Sequence, residues 1–487
     1  MVFSSLTFFL VFLTLNLICY SFAKDIRSKN IVMLVFSLVF YTWGEPKYVL
    51  LLLAMVGVNW LMSLLIEKHR KTKLARLWLV ISCVFSLGML AIFKYSNLIT
   101  STFSFIFGDF VTNIALPIGI SFYTFQILSY VIDVYRGEVP AQHSFWRLLL
   151  YVSLFHQCIA GPIVRYRDVE REITSRRMTG EDFSRGVTRF AVGLGKKALL
   201  ANACAKVADT ILLSDSQLND MTKLSKNLEQ LASKPAAMLW LGVLMYMLFI
   251  YLDFSAYSDM AIGMGLMIGF HYKENFNYPY VASSVTDFWR RWHISLSSFF
   301  RDYVYIPLGG NRKGLPRKLF NMFVVWFLTG LWHGASWNFV LWGLYFFVFL
   351  VIENLGLRDK LAKAPKFVGH LYLLLVVFFG WILFRFTNMS AARTVFKGLF
   401  GLNGNGFTSF EANAMWLNYI FFLIVAIVSV TPLIKNLGAK LTAVSEKNGV
   451  VAVVYGVSQI LVPTVLIILS TMALVGNSYN PFIYFRF

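Results

Sequence analysis

The sequence predicts an all-α polytopic membrane protein, and three observations predict it. Of the 487 residues, 58% are hydrophobic and only 14% are charged, against roughly a quarter charged in an ordinary soluble domain. Apolar stretches of about 20 residues, the length a helix needs to cross a bilayer, recur along the whole chain. Basic residues gather in the segments between these stretches, in an alternation that one orientation in the membrane explains. Such a composition excludes a soluble enzyme, a disordered chain and a disulfide scaffold.

The net charge of +20, from 44 Lys and Arg against 24 Asp and Glu, would suggest nucleic acid in a soluble protein. Here it follows from the enrichment of basic residues in cytoplasmic loops. The expected partner is therefore the lipid bilayer, with no nucleic acid. Cys19, Cys83, Cys158 and Cys204 lie far apart in apolar stretches without a CxxC pair. They read as small core residues rather than as disulfides or metal ligands.

Residues 2–23 form the first span. No basic segment precedes it, and Ser21-Phe22-Ala23 is a poor cleavage site, so it reads as a retained helix rather than a signal peptide. Lys24, Arg27 and Lys29 follow directly, which places the N-terminus outside and the first loop in the cytoplasm. Residues 31–43 and 48–66 form a hairpin broken at Gly44-Glu45-Pro46. The basic run from Lys68 to Lys73 returns the chain to the inside. Residues 77–93 leave, and a segment ending near Tyr135 returns, with a kink expected at Pro117 and Gly119.

Residues 146–163 have basic flanks on both sides, with nine basic residues between Arg165 and Lys197. A re-entrant segment turning at Gly161-Pro162 resolves the conflict, provided it is buried in protein. Residues 198–213 exit, and 214–235 read as an external soluble-looking stretch. Residues 236–270 re-enter, in one or two pieces. Residues 319–332 and 336–352 form a second hairpin, and 368–386, 417–434 and 450–474 complete the set. These make on the order of a dozen crossings, with both termini extracytoplasmic, including 477–487 at the C-terminus. No fixed-period repeat, linker or separate soluble domain interrupts them, so residues 1–487 read as one membrane domain.

Polar residues concentrate in two places. One runs from Asp287 through Phe288-Trp289-Arg290-Arg291-Trp292-His293-Ile294-Ser295-Leu296-Ser297 to Arg301 and Pro307-Leu308-Gly309-Gly310-Asn311-Arg312. It fits an amphipathic helix at the cytoplasmic surface, with Trp289 and Trp292 as interface anchors. It equally fits a cytoplasm-facing site, in which His293 titrates and Arg290, Arg291 and Arg301 hold an anionic donor. The pattern alone does not choose. The other place is Leu331-Trp332-His333-Gly334-Ala335-Ser336-Trp337-Asn338. His333 lies between two strongly apolar runs, where an ionisable group is costly and faces a cavity or a partner. A structural histidine bonded to a backbone carbonyl is the competing reading.

A helix over residues 319–332 would be roughly 21 Å long at 1.5 Å per residue, short of the roughly 30 Å hydrocarbon core. That length predicts His333 near the floor of a depression open to the outside. The two histidines would then mark the two ends of a path through the protein. Neither H-x-x-x-H nor H-E-x-x-H spacing is present, so no metal is expected. His69, His143, His271 and His370 border loops, which leaves His156, in the re-entrant segment, as a third candidate. Asp253 and Asp259 are expected to pair with the Arg residues near His293.

Phe254-Ser255-Ala256-Tyr257-Ser258-Asp259-Met260-Ala261-Ile262-Gly263, the Arg290–His293 motif and Leu331-Trp332-His333-Gly334, in this order, resemble the bacterial membrane-bound O-acyltransferases. Pro307-Leu308-Gly309-Gly310-Asn311-Arg312, the opening Met1-Val2-Phe3-Ser4-Ser5 and the closing Pro481-Phe482-Ile483-Tyr484-Phe485-Arg486-Phe487 are similar to the branch of alginate and peptidoglycan O-acetylation proteins. The resemblance covers essentially the whole chain, without a conspicuous departure. It implies a ring of about 11–12 tilted transmembrane helices, each long enough to span, plus re-entrant helices around a central tunnel. It further implies acetyl transfer from cytoplasmic acetyl-CoA, as donor and not as a resident cofactor, to an extracytoplasmic polysaccharide. A separate extracytoplasmic acetyltransferase is the implied partner, and the bacterial cytoplasmic membrane the implied location. The essential histidine of the family's Trp-His-Gly motif falls on His333. That of its Arg-Trp-His motif falls on His293, with a less defined role. Trp332, Asn338, Trp292, Arg290, Arg291 and Arg301 are the neighbouring substrate-binding candidates.

Two other classes remain open on sequence. One is a transporter of an acylated carrier, against which the absence of duplicated halves counts. The other is a sibling enzyme with another donor, such as a D-alanyl carrier. The acceptor is also open among alginate, peptidoglycan and other secreted glycans.

Overall fold

The computed structural model describes residues 2–104, 114–476 and 479–481. Regular structure among the described residues is helical, because an apolar chain in lipid must satisfy its backbone hydrogen bonds within each segment. Seven helices among them are long and apolar enough to cross a membrane: Val49–Lys68, Lys73–Thr102, Ala236–Met267, Trp337–Lys363, Lys366–Arg385, Phe410–Ser429 and Gly449–Val475. Each overlaps an expected span. The other expected spans fall on shorter or less apolar helices, such as Leu13–Phe22, Ile26–Gly44, Ile120–Arg136, Asn202–Leu212 and Gly314–His333. Most of the expected extracytoplasmic segment 477–487 lies outside the described residues.

The chain forms two compact units. The first comprises Met1–Gly193, Tyr257–Asn275 and Ser295–Pro307, and the second Leu194–Ala256, Phe276–Ile294 and Leu308–Phe487. The Ala236–Met267 helix is one continuous piece. It belongs to the second unit through Ala256 and to the first from Tyr257.

In the first unit the Ile120–Arg136 helix is buried along most of its length, polar residues included. It begins after Gly119, so Pro117 and Gly119 start the helix rather than kink it. The neighbouring helices are joined by side chains as well as by packing. Asn59 Nδ2 donates to Ser86 Oγ at 3.0 Å, and Ser82 donates to the Asn59 carbonyl oxygen. Such bonds hold helices together where lipid supplies no hydrophobic drive. The expected re-entrant segment is a nine-residue helix, Phe145–Ser153, then a break at Leu154 and a short turn, Phe155–Cys158. At about 14 Å the helix is too short to span, and residues 148–158 are buried, as non-spanning backbone at membrane depth has to be. Gly161, at φ +105°, makes the turn that follows.

Charged residues of this unit pair closely. Arg165 Nη1 lies 2.7 Å from Asp302 Oδ2, and the Tyr303 hydroxyl donates to Asp133 Oδ1 at 2.8 Å. Burial works to raise the Asp302 carboxyl, but hydrogen bonds from Arg301 and Arg165 outweigh it and hold it below its ordinary value. Arg189 takes Asp259 at 2.8 Å and also Glu274.

In the second unit the Ala236–Met267 helix contributes to the core through Ala256; 89% of the helix's apolar window is buried, whereas for Gly449–Val475 the share is 6%. A helix that is apolar all round and so little covered by protein is a lipid-facing one. Lys197 and Asp253 form a buried pair at 2.7 Å. Asp253 and Asp259 were expected to pair with the Arg residues near His293; the described pairs are Lys197 with Asp253 and Arg189 with Asp259. The cysteines divide. Cys158 and Cys204 are buried as expected, whereas Cys19 is exposed and Cys83 half-buried, on helix faces that protein does not cover.

His271 follows the Ala236–Met267 helix and bridges two acids of the first unit. Its Nδ1 lies 2.8 Å from Glu172 Oε1 and its Nε2 3.5 Å from Asp182 Oδ1. Burial lowers its pKa, but the two carboxylates outweigh it and the net shift is upward. A raised histidine contributes stability that is full below its unfolded value of about 6.5 and is lost as pH rises through the folded value. Because the side chain is 51% exposed, the effect should stay below about 1 kcal/mol. Unfolding temperature in detergent should fall slightly between pH 6 and pH 8.5, and His271→Gln should flatten that slope. An equal slope in the variant would assign it to another group.

Candidate functional site

His293 and His333 both belong to the second unit. His293 follows the short helix Val285–Arg291, whose N-terminus is held from two sides. Ser284 Oγ accepts from the Asp287 amide. The buried carboxylate of Glu353 accepts from the Val285 amide at 2.6 Å, the Thr286 amide at 2.9 Å and the Thr286 hydroxyl at 2.6 Å. An anion at a helix N-terminus satisfies donors that the helix cannot and complements its dipole. At the other end the chain turns sharply. His293 has φ +44°, a conformation that costs a non-glycine residue of order 1–3 kcal/mol and tends to occur at functional sites. His293 is 1% exposed, with its ring perpendicular to that of Phe254 at 4.7 Å.

His333 is the last residue of the helix Gly314–His333, which packs against Trp337–Ile352. Two glycines allow the close crossing. A Cβ on Gly330 would meet the Phe339 carbonyl oxygen at 2.5 Å, and one on Gly343 the Trp326 carbonyl oxygen at 2.4 Å. A Cβ on Gly334 would run into the Phe339 ring at 2.3 Å. The His333 imidazole, 4% exposed, lies 5.0 Å from Trp332, 4.9 Å from Trp342 and 5.3 Å from Phe384, nearly perpendicular to each. Edge-to-face packing of this kind fixes a ring in one orientation.

Trp332 connects the two. Its indole lies 5.6 Å from the His293 ring and 5.0 Å from the His333 ring. The structure therefore brings the two histidines to a single indole, closer than two ends of a path would suggest. The length argument for His333 is also corrected. Its helix begins at Gly314 rather than near 319 and has 20 residues, about 30 Å, so helix length does not stop it short of a bilayer's far side. Aromatic rings enclose this imidazole on three sides.

The other candidates separate. Trp292 is 2% exposed and packs among Phe276, Phe288 and Trp381, and Trp289 packs on Trp326 and Phe346. Neither is a lipid-interface anchor. Asn338 is fully buried; its Nδ2 donates to the Leu383 carbonyl at 3.2 Å, while its Oδ1 has no hydrogen-bond partner among the described residues. Arg291 is tied to Asp287 at 3.0 Å, and Arg290 is exposed. Arg301 belongs to the first unit, where it binds Asp302 at 2.7 Å. His156 is also in the first unit, buried, with its Nδ1 2.8 Å from the Tyr272 hydroxyl. No group of three His, Cys, Asp or Glu suited to a metal occurs among the described residues. Sequence reasoning missed Glu353, Trp342 and Phe384, and placed Phe254 in a motif without placing it at His293. Only Glu353 left a signal, an acid at the end of an apolar run.

His333 at the tip of the Gly314–His333 helix and His293 beside the same indole, in a polytopic helical chain, agree with the membrane O-acyltransferase class that the sequence motifs resemble. Residues 63–391 match the MBOAT, or membrane-bound O-acyltransferase, family, and the chain belongs to it. The chain is 36% identical to the probable alginate O-acetylase AlgI of Azotobacter vinelandii over the full length of both. It is 38% identical to the probable alginate O-acetylase AlgI of Pseudomonas aeruginosa, over 86% of this chain and 80% of that one. It is 31% identical to the peptidoglycan O-acetyltransferase of Helicobacter pylori, over 83% and 80% of the two chains.

Glu353→Ala should leave one buried amide, that of Val285, without an acceptor, at about 1–3 kcal/mol, and free the half-buried Thr286 amide as well. A clear drop in unfolding temperature is expected, with acyl transfer weakened because the helix before His293 loosens. Glu353→Gln, which keeps one acceptor oxygen, should fall between. Wild-type stability in the Ala variant would exclude this capping role.

Proposed function

We propose that this chain transfers acetyl groups from acetyl-CoA, reached from the cytoplasm, to hydroxyl groups of an extracytoplasmic polysaccharide, either directly or through a partner acetyltransferase. Alginate, peptidoglycan and other secreted glycans all present suitable hydroxyls. The bacterial cytoplasmic membrane is the setting, with both termini extracytoplasmic. The observation that carries this reading is the pair of buried imidazoles on one indole in an aromatic enclosure. The names of the relatives, alginate O-acetylase and peptidoglycan O-acetyltransferase, support the acyl group and the class of acceptor.

His333 acts as general base. It takes the proton from the acceptor hydroxyl as that oxygen attacks the thioester carbon. The C–O bond forms, the C–S bond breaks, and the proton passes to the leaving thiolate. Products are an acetyl ester and free coenzyme A thiol, with no net gain or loss of protons. Exclusion of water from this enclosure protects the thioester from hydrolysis. Asn338 Oδ1, buried and without a hydrogen-bond partner among the described residues, is an acceptor suited to orienting a hydroxyl. His293, across Trp332, orients the donor thioester, and Arg290 meets the phosphates of the coenzyme.

His333→Ala should abolish acetyl transfer from labelled acetyl-CoA in permeabilised cells that make the glycan, with normal amounts of folded protein in the membrane. A fully acetylated product in that variant would end the assignment. His293→Ala should lower the rate by about a hundredfold, the scale of losing a group that positions a reactant. An unchanged rate and donor affinity would remove it from the site.

A further inference from the structure

The end of the Lys366–Arg385 helix carries a charge that two histidines leave unused. Arg385 is 1% exposed, and a buried arginine closing an apolar span is costly unless it is paired. Its Nη2 donates to Asp209 Oδ1 at 2.8 Å and to the Leu213 carbonyl, and its Nη1 donates to Asp215. Asp209 and Asp215 are 20% and 27% exposed, so the carboxylates reach the surface while the guanidinium does not. Leu213 has φ +63° and ψ 153°, a region that residues with a side chain rarely occupy. Arg385 holds the carbonyl of that strained residue.

The residues before Arg385 line the His333 enclosure. Phe384 lies 5.3 Å from the His333 ring and 5.0 Å from Trp342, and Leu383 gives its carbonyl to Asn338. A buried ion cluster is a weak source of stability compared with apolar packing. The guanidinium fork instead fixes direction, since its donors leave in one plane. We infer that Arg385 is a positioning residue for acyl transfer: pinned to Asp209, Asp215 and Leu213, it holds Phe384 against the His333 imidazole. This rests on the reading of His333 as the base. The competing role for Arg385 is a purely structural anchor, tying in the C-terminal segment through Asp209, whose Oδ2 accepts from the Tyr479 hydroxyl.

A double-mutant cycle on the full chain separates the two roles. Initial rates of transfer from labelled acetyl-CoA are measured in permeabilised producing cells, per amount of folded protein, for Arg385→Gln, Phe384→Leu and both together. Each single variant should lose about tenfold in rate, with KM for acetyl-CoA within about twofold of wild type. The double variant should be no more than about twofold slower than the slower single one, because coupled residues are not additive. Independent losses that multiply to about a hundredfold, an unchanged rate in either single variant, or a loss confined to KM would each overturn the inference. If Arg385→Gln does not accumulate as folded protein, Asp215→Asn takes its place in the same cycle with the same criteria. His333→Ala is the control. Wild-type activity there overturns the reading of the base itself, whereas an inactive His333→Ala with independent losses at 385 and 384 overturns only the positioning role.

Discussion

An imidazole inside an apolar helical protein has to be enclosed by something, and here one indole encloses two of them. Trp332 touches both His293 and His333, and much of the second unit's architecture serves to keep it there. The glycine crossing at Gly330 and Gly343 brings the Trp337–Ile352 helix close enough for Trp342 to close a second side of His333. Phe384 closes a third. Rings set nearly perpendicular at about 5 Å interlock more firmly than aliphatic side chains of equal area, so each imidazole has little orientational freedom. That is the condition a general base must meet before its pKa matters.

The enclosure has a cost that the fold bears locally. His293 adopts a left-handed backbone conformation next to the helix it follows. Glu353 offsets part of that cost from the far end of the same helix, with three hydrogen bonds to its first residues. Strain at one end and a buried cap at the other make a rigid lever of seven residues, Val285–Arg291. An amphipathic helix at the cytoplasmic surface would need neither. The burial of Trp289 and Trp292 argues the same way, since lipid-interface anchors keep one edge wet.

What the sequence made legible follows from what lipid enforces. Helical class, seven of the spans and the buried re-entrant segment could be read because a bilayer penalises unsatisfied backbone at every residue. His333 stood out because an ionisable group between two apolar runs is expensive. The partners of Asp253 and Asp259 were not legible, because Lys197 and Arg189 are distant in sequence and helix contacts leave no periodic trace. The start of the His333 helix was misplaced for a local reason. Arg317 and Lys318 read as loop, yet both sit in the first turns of the helix, where Arg317 donates to the Leu308 carbonyl and Lys318 to Asn354. Basic side chains near a helix end can reach outward from it, so their presence does not end it. Trp342 and Phe384 were invisible for a different reason. In a chain with 47 Phe and 13 Trp, an aromatic residue at a site looks like any other.

The basic excess also resolves into parts. Residues 287–318 carry seven basic and two acidic side chains, a balance that suggested a cradle for an anionic donor. Four of the seven have other work. Arg291 binds Asp287 and Arg301 binds Asp302, while Arg317 and Lys318 hold the loop and the neighbouring helix. Charges already committed to carboxylates and carbonyls attract a phosphate weakly, because each pair is close to neutral at the distance of a third group. Arg290, Arg312 and Lys313 are left, all exposed, and Arg290 is three residues from His293. Net charge over a segment therefore overstates what a ligand meets. For the anionic donor proposed above, the attraction would narrow to the uncommitted cations, with Arg290 the one that the sequence ties most closely to His293.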